Sequence, residues 1–202
     1  MRVLSAGRAS EILDLGGDRV LRRFKSGGDP AREAAVMGHA REHGYPVPEV
    51  FEVRADALVL ELVDGPTMAD DVRRRPWRAV RHARTLARLH ERLHEIPFEG
   101  SRLLHLDLHP ENVLLSPGGP VVIDWANAEP GDPALDVALT WVIGATVGNA
   151  GASLFTRLFL RHVDREAARR ALPAAVAYRL ADRNVTDAER KRASSLLARE
   201  TR

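Results

Sequence analysis

Residues 105–115 read His105-Leu106-Asp107-Leu108-His109-Pro110-Glu111-Asn112-Val113-Leu114-Leu115, and an apolar run returns at Val121-Val122-Ile123-Asp124-Trp125. Apolar residues anchor both ends of this segment in a core, yet Asp107, Asn112 and Asp124 lie among them. A buried carboxylate needs a partner or a metal. Three oxygen-bearing side chains, in a chain with no cysteine, suit a hard cation such as Mg2+. Val113–Leu115 and Val121–Ile123 can pair as a hairpin around Ser116-Pro117-Gly118-Gly119, bringing Asn112 and Asp124 side by side at the strand ends. One divalent ion could then be held by both, with Asp107 facing it as a general base. Taken singly, each of the three is explained as well by a turn cap.

Upstream of this segment the chain reads as short strands. Arg2–Ser5, Glu11–Leu15 and Arg19–Phe24 are separated by Ala6-Gly7-Arg8 and by Gly16-Gly17-Asp18, a tight hairpin signal. Asp29-Pro30 opens a helix as N-cap and first helical residue, and Gly44 closes it. Val50–Val53 and Ala57–Leu62 are two further strands. From Asp64-Gly65 the pattern turns helical. Pro76–Glu95 is the longest periodic segment, with Val80, Ala83, Leu86, Leu89 and Leu93 on one face. Residues from Asp132 onward are mostly helical, with Pro173 expected to divide two segments. The expected fold class is α+β, with a strand-rich lobe at 1–63 and a helical lobe carrying the 105–124 segment at 64–202.

Composition narrows the function. The 202 residues are 45% hydrophobic and 29% charged, ordinary for a folded globular chain. The absence of cysteine excludes disulfide scaffolds, thiolate zinc sites and cysteine nucleophiles. Ala134–Val147, the longest apolar candidate, is too short to span a membrane and is interrupted by Asp136. The N-terminus has no signal-peptide pattern, so a cytoplasmic protein is expected. A net charge of +2 gives no case for nucleic-acid binding. Residues 157–202 carry 12 basic and 6 acidic side chains, which reads as a solvated, salt-bridged helical face.

The 105–124 segment resembles the aminoglycoside phosphotransferase and choline kinase family, which has a bilobal protein-kinase-like fold: a small antiparallel N-lobe sheet with one helix, and a mainly helical C-lobe. The matching features are the catalytic loop His-x-Asp-x-x-x-x-Asn, the His109-Pro110 after Asp107, the Ile123-Asp124-Trp125 strand end, and Gly131-Asp132-Pro133 with Asp136. The resemblance implies an ATP-dependent phosphotransferase moving the γ-phosphoryl group to a hydroxyl of a small molecule or protein. It implies Asp107 as the catalytic group that accepts or orients the acceptor proton, and Asn112 and Asp124 as Mg2+ ligands. His105 would brace the loop, and Asp136 would bond the loop backbone from its helix. Val20 and Arg22 share a strand face toward the nucleotide, and Glu33 would pair with Arg22, which stands in place of the usual phosphate-binding lysine. Arg23 or Lys25 could take that role instead, leaving Arg22 an exposed strand arginine. Glu61-Leu62-Val63 would be the hinge, with Glu61 and Val63 reading the adenine edge through their backbone. Ala6-Gly7-Arg8-Ala9-Ser10 would cover the phosphates, although it holds one glycine where the kinase loop has three. Small-molecule members of the family carry a helical insertion between the long helix and the catalytic loop. Here only Pro97–Arg102 intervene, and this, with the basic tail, weighs against an aminoglycoside.

Two other functions fit parts of the sequence. A nucleotide-binding module with little or no transfer activity fits the missing lysine and the poor glycine loop. A zinc metallohydrolase fits His90-Glu91-Arg92-Leu93-His94, the His-Glu-x-x-His pattern. The extended form of that pattern needs a glycine and a third histidine where this chain has Pro97 and Gly100.

Overall fold

The computed structural model describes residues 2–6, 10–25 and 28–200. The chain opens with β1 (Arg2–Ala6), β2 (Ser10–Gly16) and β3 (Arg19–Phe24), continues through α1 (Pro30–Glu42), and completes the sheet with β4 (Val50–Val53) and β5 (Ala57–Glu61). The sheet is antiparallel, in the order β1-β2-β3-β5-β4. The turn from β2 to β3 works because Gly16, Gly17 and Asp18 all take positive φ, at 77°, 58° and 62°. Leu13, Leu21, Ala57 and Val59 form the buried cluster on the sheet. Helix α1 begins as expected: the Asp29 side chain accepts from the Arg32 N–H at 3.0 Å, and Pro30 follows it.

Next come α2 (Met68–Arg74), α3 (Ala79–His94), β6 (Pro97–Phe98) and β7 (Ser101–Leu104). The hairpin of β8 (Val113–Ser116) and β9 (Gly119–Val122) follows, in the register Val113↔Val122. Strand β10 (Glu129–Gly131) pairs with β7, and the chain ends in α4 (Pro133–Thr146), α5 (Ala150–Phe159), α6 (Arg165–Ala181) and α7 (Asp187–Glu200). Contacts gather the chain into two compact units, 1–66 with 113–128, and 67–112 with 129–202. The fold is α+β, with a five-stranded antiparallel sheet toward the N-terminus and mostly helices toward the C-terminus, as expected. Among the described residues, no helix is long and apolar enough to cross a membrane.

Two expectations need correction. Pro173 does not divide the last helices, because α6 runs through it. Proline removes one backbone bond, but Leu172, Ala175 and Val176 beside it are buried, and their packing holds the helix together. The breaks fall instead at Asp164, whose side chain caps α6 by accepting from the Ala167 N–H at 2.9 Å, and at Asp182. Val80 is half exposed. Helix α3 starts at Ala79, and its buried residues are Ala79, His82, Ala83, Leu86, Ala87, Leu89, His90 and Leu93.

Candidate active site

In the first unit the charged residues centre on Arg22. Strand alternation puts Val20 and Arg22 on one face of β3, and both are buried. The Arg22 guanidinium donates through Nη1 to Glu33 Oε1, through Nη2 to Asp124 Oδ1, and through Nε to Ser10 Oγ at 3.3 Å. Its planar fork thus holds two carboxylates at once, which a lysine ammonium cannot do with the same geometry. Glu33 stands in the first turn of α1, and its Oε1 also accepts from the Trp125 N–H at 3.1 Å. Glu33 Oε2 is buried without a hydrogen-bond partner among the described residues. Burial, reinforced by the negative charge of Asp124, pushes the Glu33 carboxyl up to about 7, against the pull of Arg22 and the Trp125 N–H. Asp124 sits at a φ of 67°, and its side chain is 45% exposed, so the carboxylate Arg22 grips remains open on one side. That openness and the oxygen donor suit a hard cation.

The other expected residues of this unit are less central. Arg23 pairs with Glu11 at 3.1 Å and Lys25 is exposed, whereas Arg22 is bonded to both Glu33 and Asp124. Glu61 ends β5 opposite Arg19, and its carboxylate accepts from the Glu49 N–H at 3.1 Å. Val63 lies just past β5 and is partly exposed. Of the expected phosphate-covering loop, residues 7–9 lie outside the described residues.

In the second unit the catalytic-type loop is held from beneath by a buried carboxylate. Asp136, in the first turn of α4, has no solvent exposure. Its Oδ1 accepts from the Leu106 N–H at 2.7 Å, and its Oδ2 from the His105 N–H at 3.2 Å. This is the loop bond implied for Asp136. Leu106 itself stands at a φ of 61°, a left-handed conformation that costs a bulky residue about 1–2 kcal/mol. The two bonds from Asp136 hold the N–H of that strained residue and of the residue before it, just ahead of Asp107. Burial would raise the Asp136 carboxyl, but the imidazoles of His90 and His94 outweigh it and hold the group well below the usual carboxylate range.

Asp107 and Asn112 come together above this brace. Asn112 Nδ2 donates to the Asp107 carbonyl at 2.9 Å and to its Oδ2 at 3.0 Å. With the amide hydrogens turned toward Asp107, Asn112 Oδ1 is the atom left to serve as a ligand. His109, to which no role was given from sequence, completes the group. Its Nδ1 accepts from the Glu111 N–H at 3.3 Å, which leaves the ring proton on Nε2, 3.5 Å from Asp107 Oδ1. Burial raises the Asp107 carboxyl, yet the His109 contact and the charges of His109, His105 and Arg179 outweigh it, leaving it below its ordinary value. Asp107 is therefore ionised at neutral pH and can accept a hydroxyl proton. The sequence signal for His109 was its place in the His109-Pro110 pair that follows Asp107 in the family resemblance.

The His-Glu-x-x-His pair also finds partners. His94 Nε2 bonds Asp136 Oδ2 at 3.0 Å, and His90 Nε2 bonds Thr140 Oγ1 at 3.0 Å. Asp136 supplies in space the third group that sequence lacks, and the three ligand atoms lie within 4.8 Å of one another. A zinc hydrolase needs an open coordination position for water and substrate. Here His90 is 1% exposed and Asp136 is spent on the loop backbone, so the motif serves packing and loop support.

Comparison with known proteins agrees with this fold. The RIO domain model matches residues 28–133, just over half of the chain, and the phosphotransferase enzyme family model matches residues 96–172. Among solved structures, the ethanolamine kinase of Plasmodium vivax superposes with a TM-score of 0.67 at 12% identity, covering 100% of this chain and 82% of that one. A choline/ethanolamine kinase family protein from Mesorhizobium loti gives 0.61 at 19% identity, covering 97% and 85%. The streptomycin–ATP ternary complex of APH(2″)-IIa gives 0.60 at 15% identity, covering 88% and 84%. No curated protein matches the chain significantly. The fold and the matched segments define a protein-kinase-like phosphotransferase domain. By the model that covers just over half of it the chain belongs to the RIO domain family, and its 96–172 segment matches the phosphotransferase enzyme family model.

Proposed function

We infer that the protein transfers the γ-phosphoryl group of ATP to a hydroxyl, with Mg2+ as the resident cation. The observation that carries this is the Asp107–Asn112 pair, 3.0 Å apart, on a loop whose backbone is fixed by the buried Asp136 carboxylate. A turn cap needs neither that brace nor a strained Leu106. Asp107 accepts the acceptor proton or orients the hydroxyl, and His109 Nε2–H steadies its carboxylate. Asn112 directly precedes β8, and Asp124 lies two residues past β9, the partner of β8, which supports a shared role for Asn112 and Asp124 in holding the cation. Mg2+ supplies neutralisation of the phosphate charge. Arg22, oriented by Glu33, supplies the positive charge of the phosphate-binding lysine. Val20, Glu61 and Val63 belong to the nucleotide contacts in the same proposal. The ATP named with one structural relative agrees with this choice of donor. Most of the acceleration comes from positioning and fixed charge.

The test is a thermal-shift titration with ATP, with and without Mg2+, followed by ADP release with an acceptor panel. Wild type should be stabilised by Mg2+ and ATP together. Asp107→Ala should keep that stabilisation and lose transfer by at least about 100-fold, within the range of a general base. Asp124→Ala should lose the Mg2+-dependent part of the shift. Unchanged turnover in Asp107→Ala would overturn the assignment.

A further inference from the structure

A cavity of about 340 Å3 opens within the second unit, between α2, the start of α3, α4 and α5, with His109, Pro110 and Glu111 forming one wall. Its size is near the lower end of the roughly 300–1,000 Å3 range in which proteins hold small-molecule ligands. The remaining walls are mainly apolar, with Val72, Ile143, Phe155 and Phe159 among them. Three side chains with charge-bearing chemistry line it, Arg73, Glu111 and His109. Two of these neutralise each other: Arg73 Nη1 donates to Glu111 Oε1 at 2.8 Å, and Thr67 Oγ1 donates to the other Glu111 oxygen at 3.1 Å. Each Glu111 oxygen already has a partner and Arg73 balances its charge, so this wall offers a cationic ligand no net negative charge. The third, His109, is the same imidazole whose Nε2 lies 3.5 Å from Asp107 Oδ1. The cavity therefore ends one imidazole ring away from the carboxylate that would take the acceptor proton.

We propose that this cavity is the acceptor site, and that the acceptor is an uncharged alcohol whose hydroxyl is carried on an apolar body. The proposal rests on the phosphotransferase function above and names its substrate class. The apolar body lies against Phe155, Phe159 and Ile143, and the hydroxyl points past His109 to Asp107. Burying the body supplies the binding energy that holds the hydroxyl in line. In the transfer, the acceptor oxygen forms a bond to the γ-phosphorus of ATP as the bond from that phosphorus to the β,γ-bridging oxygen breaks. The acceptor proton passes to the Asp107 carboxylate, and ADP leaves with the electron pair of the broken bond. A polyamine acceptor fits poorly, because desolvated ammonium groups need carboxylate partners and the one in this wall is already paired.

The experiment compares 2-phenylethanol and 1-octanol with ethanolamine and streptomycin, in ADP release with ATP and Mg2+ and in ligand-observed NMR binding. The apolar alcohols should bind and be phosphorylated with a kcat/KM at least 10-fold above the two amines. Val72→Phe, at a half-buried wall position, should raise the KM for the apolar alcohols at least 10-fold while kcat changes less than about 3-fold, a split that general destabilisation does not produce. An unchanged circular dichroism spectrum checks that this variant folds. Turnover of ethanolamine or streptomycin at equal or higher kcat/KM overturns the substrate class while leaving the phosphotransferase function standing. A thermal shift with Mg2+ and ATP but no turnover of either apolar alcohol, whether or not they bind, also overturns it. Loss of both that shift and all turnover overturns the underlying function as well.

Discussion

Replacing Glu33 by glutamine separates the electrostatics of the Arg22 centre from its shape. Glu33 is buried, and its carboxyl is raised from the ordinary 4.5 to about 7. Between those two values the folded protein keeps a proton that the unfolded chain has released. The unfolded state then binds fewer protons, so stability falls as pH rises through this window and is level above it. A rise of that size corresponds to about 3 kcal/mol across the window, a large share of the ~5–15 kcal/mol that holds a typical domain folded. Glutamine retains an oxygen for the Trp125 N–H and removes the titration.

Glu33→Gln also changes the group that Arg22 Nη1 bonds, which adds a constant offset between the two proteins. The diagnostic quantity is therefore the difference between the two proteins as a function of pH. Urea unfolding at intervals between about pH 4 and pH 8 measures it. Asp107 and Asp136 do not blur the result, because both are held below the ordinary 3.8 and their contributions are lost only as pH falls below the window. Relative to the glutamine protein, wild type should lose about 3 kcal/mol between about pH 4.5 and pH 7, a difference from which the opposing slope of buried His90, whose pKa burial lowers, cancels. Parallel curves would show that Glu33 is ionised throughout, and that Arg22 rather than burial decides its charge.

Asp136→Asn keeps the side-chain shape but turns one acceptor into a donor facing a backbone N–H. The expected loss is about 3 kcal/mol of stability, from one buried unsatisfied N–H and a lost bond to an imidazole, with kcat reduced at least 10-fold. Wild-type kcat in a folded Asp136→Asn variant would remove Asp136 from loop positioning. Arg22→Lys preserves charge but cannot reach Glu33, Asp124 and Ser10 together. Its melting temperature should fall, by the equivalent of about 2 kcal/mol, and its KM for ATP should rise. An unchanged KM for ATP would mean that Arg22 does not serve the nucleotide.

Legibility in the sequence followed the range of the forces involved. The hairpin at 113–122, the Asp29 cap and the tight turn at Gly16–Asp18 are local devices, and each was readable because its residues are neighbours in the chain. The Arg22–Glu33 pair joins a strand to a helix and the Asp136 bonds reach back 30 and 31 residues, and only the family resemblance made them visible. Leu106 at positive φ carried no signal, because leucine is a poor choice there and is forced by Asp136 rather than preferred. Pro173 misled for the opposite reason: a strong local breaker is overridden by buried neighbours. The engagement of Asp124 by Arg22 was equally hidden, since nothing in a strand pattern says that one guanidinium will hold two acids.

The two buried acids show how donors rather than burial decide what a carboxylate does. Glu33 and Asp136 are both excluded from solvent, and burial pushes both upward. Asp136 receives two backbone N–H groups and His94 on its two oxygens, with His90 beside them, and it stays ionised. Glu33 receives one backbone N–H and one guanidinium that it shares with Asp124, all on Oε1, while Oε2 receives nothing among the described residues. The first arrangement makes a fixed anion, able to hold a strained loop in one direction through a catalytic cycle. The second makes an acid poised near neutrality, whose charge follows that of its neighbours. If Arg22 turns from Asp124 toward a phosphate, the positive charge it shares between two acids moves away from Glu33 and the balance tips toward the protonated form. Proton uptake on nucleotide binding near pH 7, read by calorimetry in buffers of different ionisation enthalpy, should accompany that shift and vanish in Glu33→Gln.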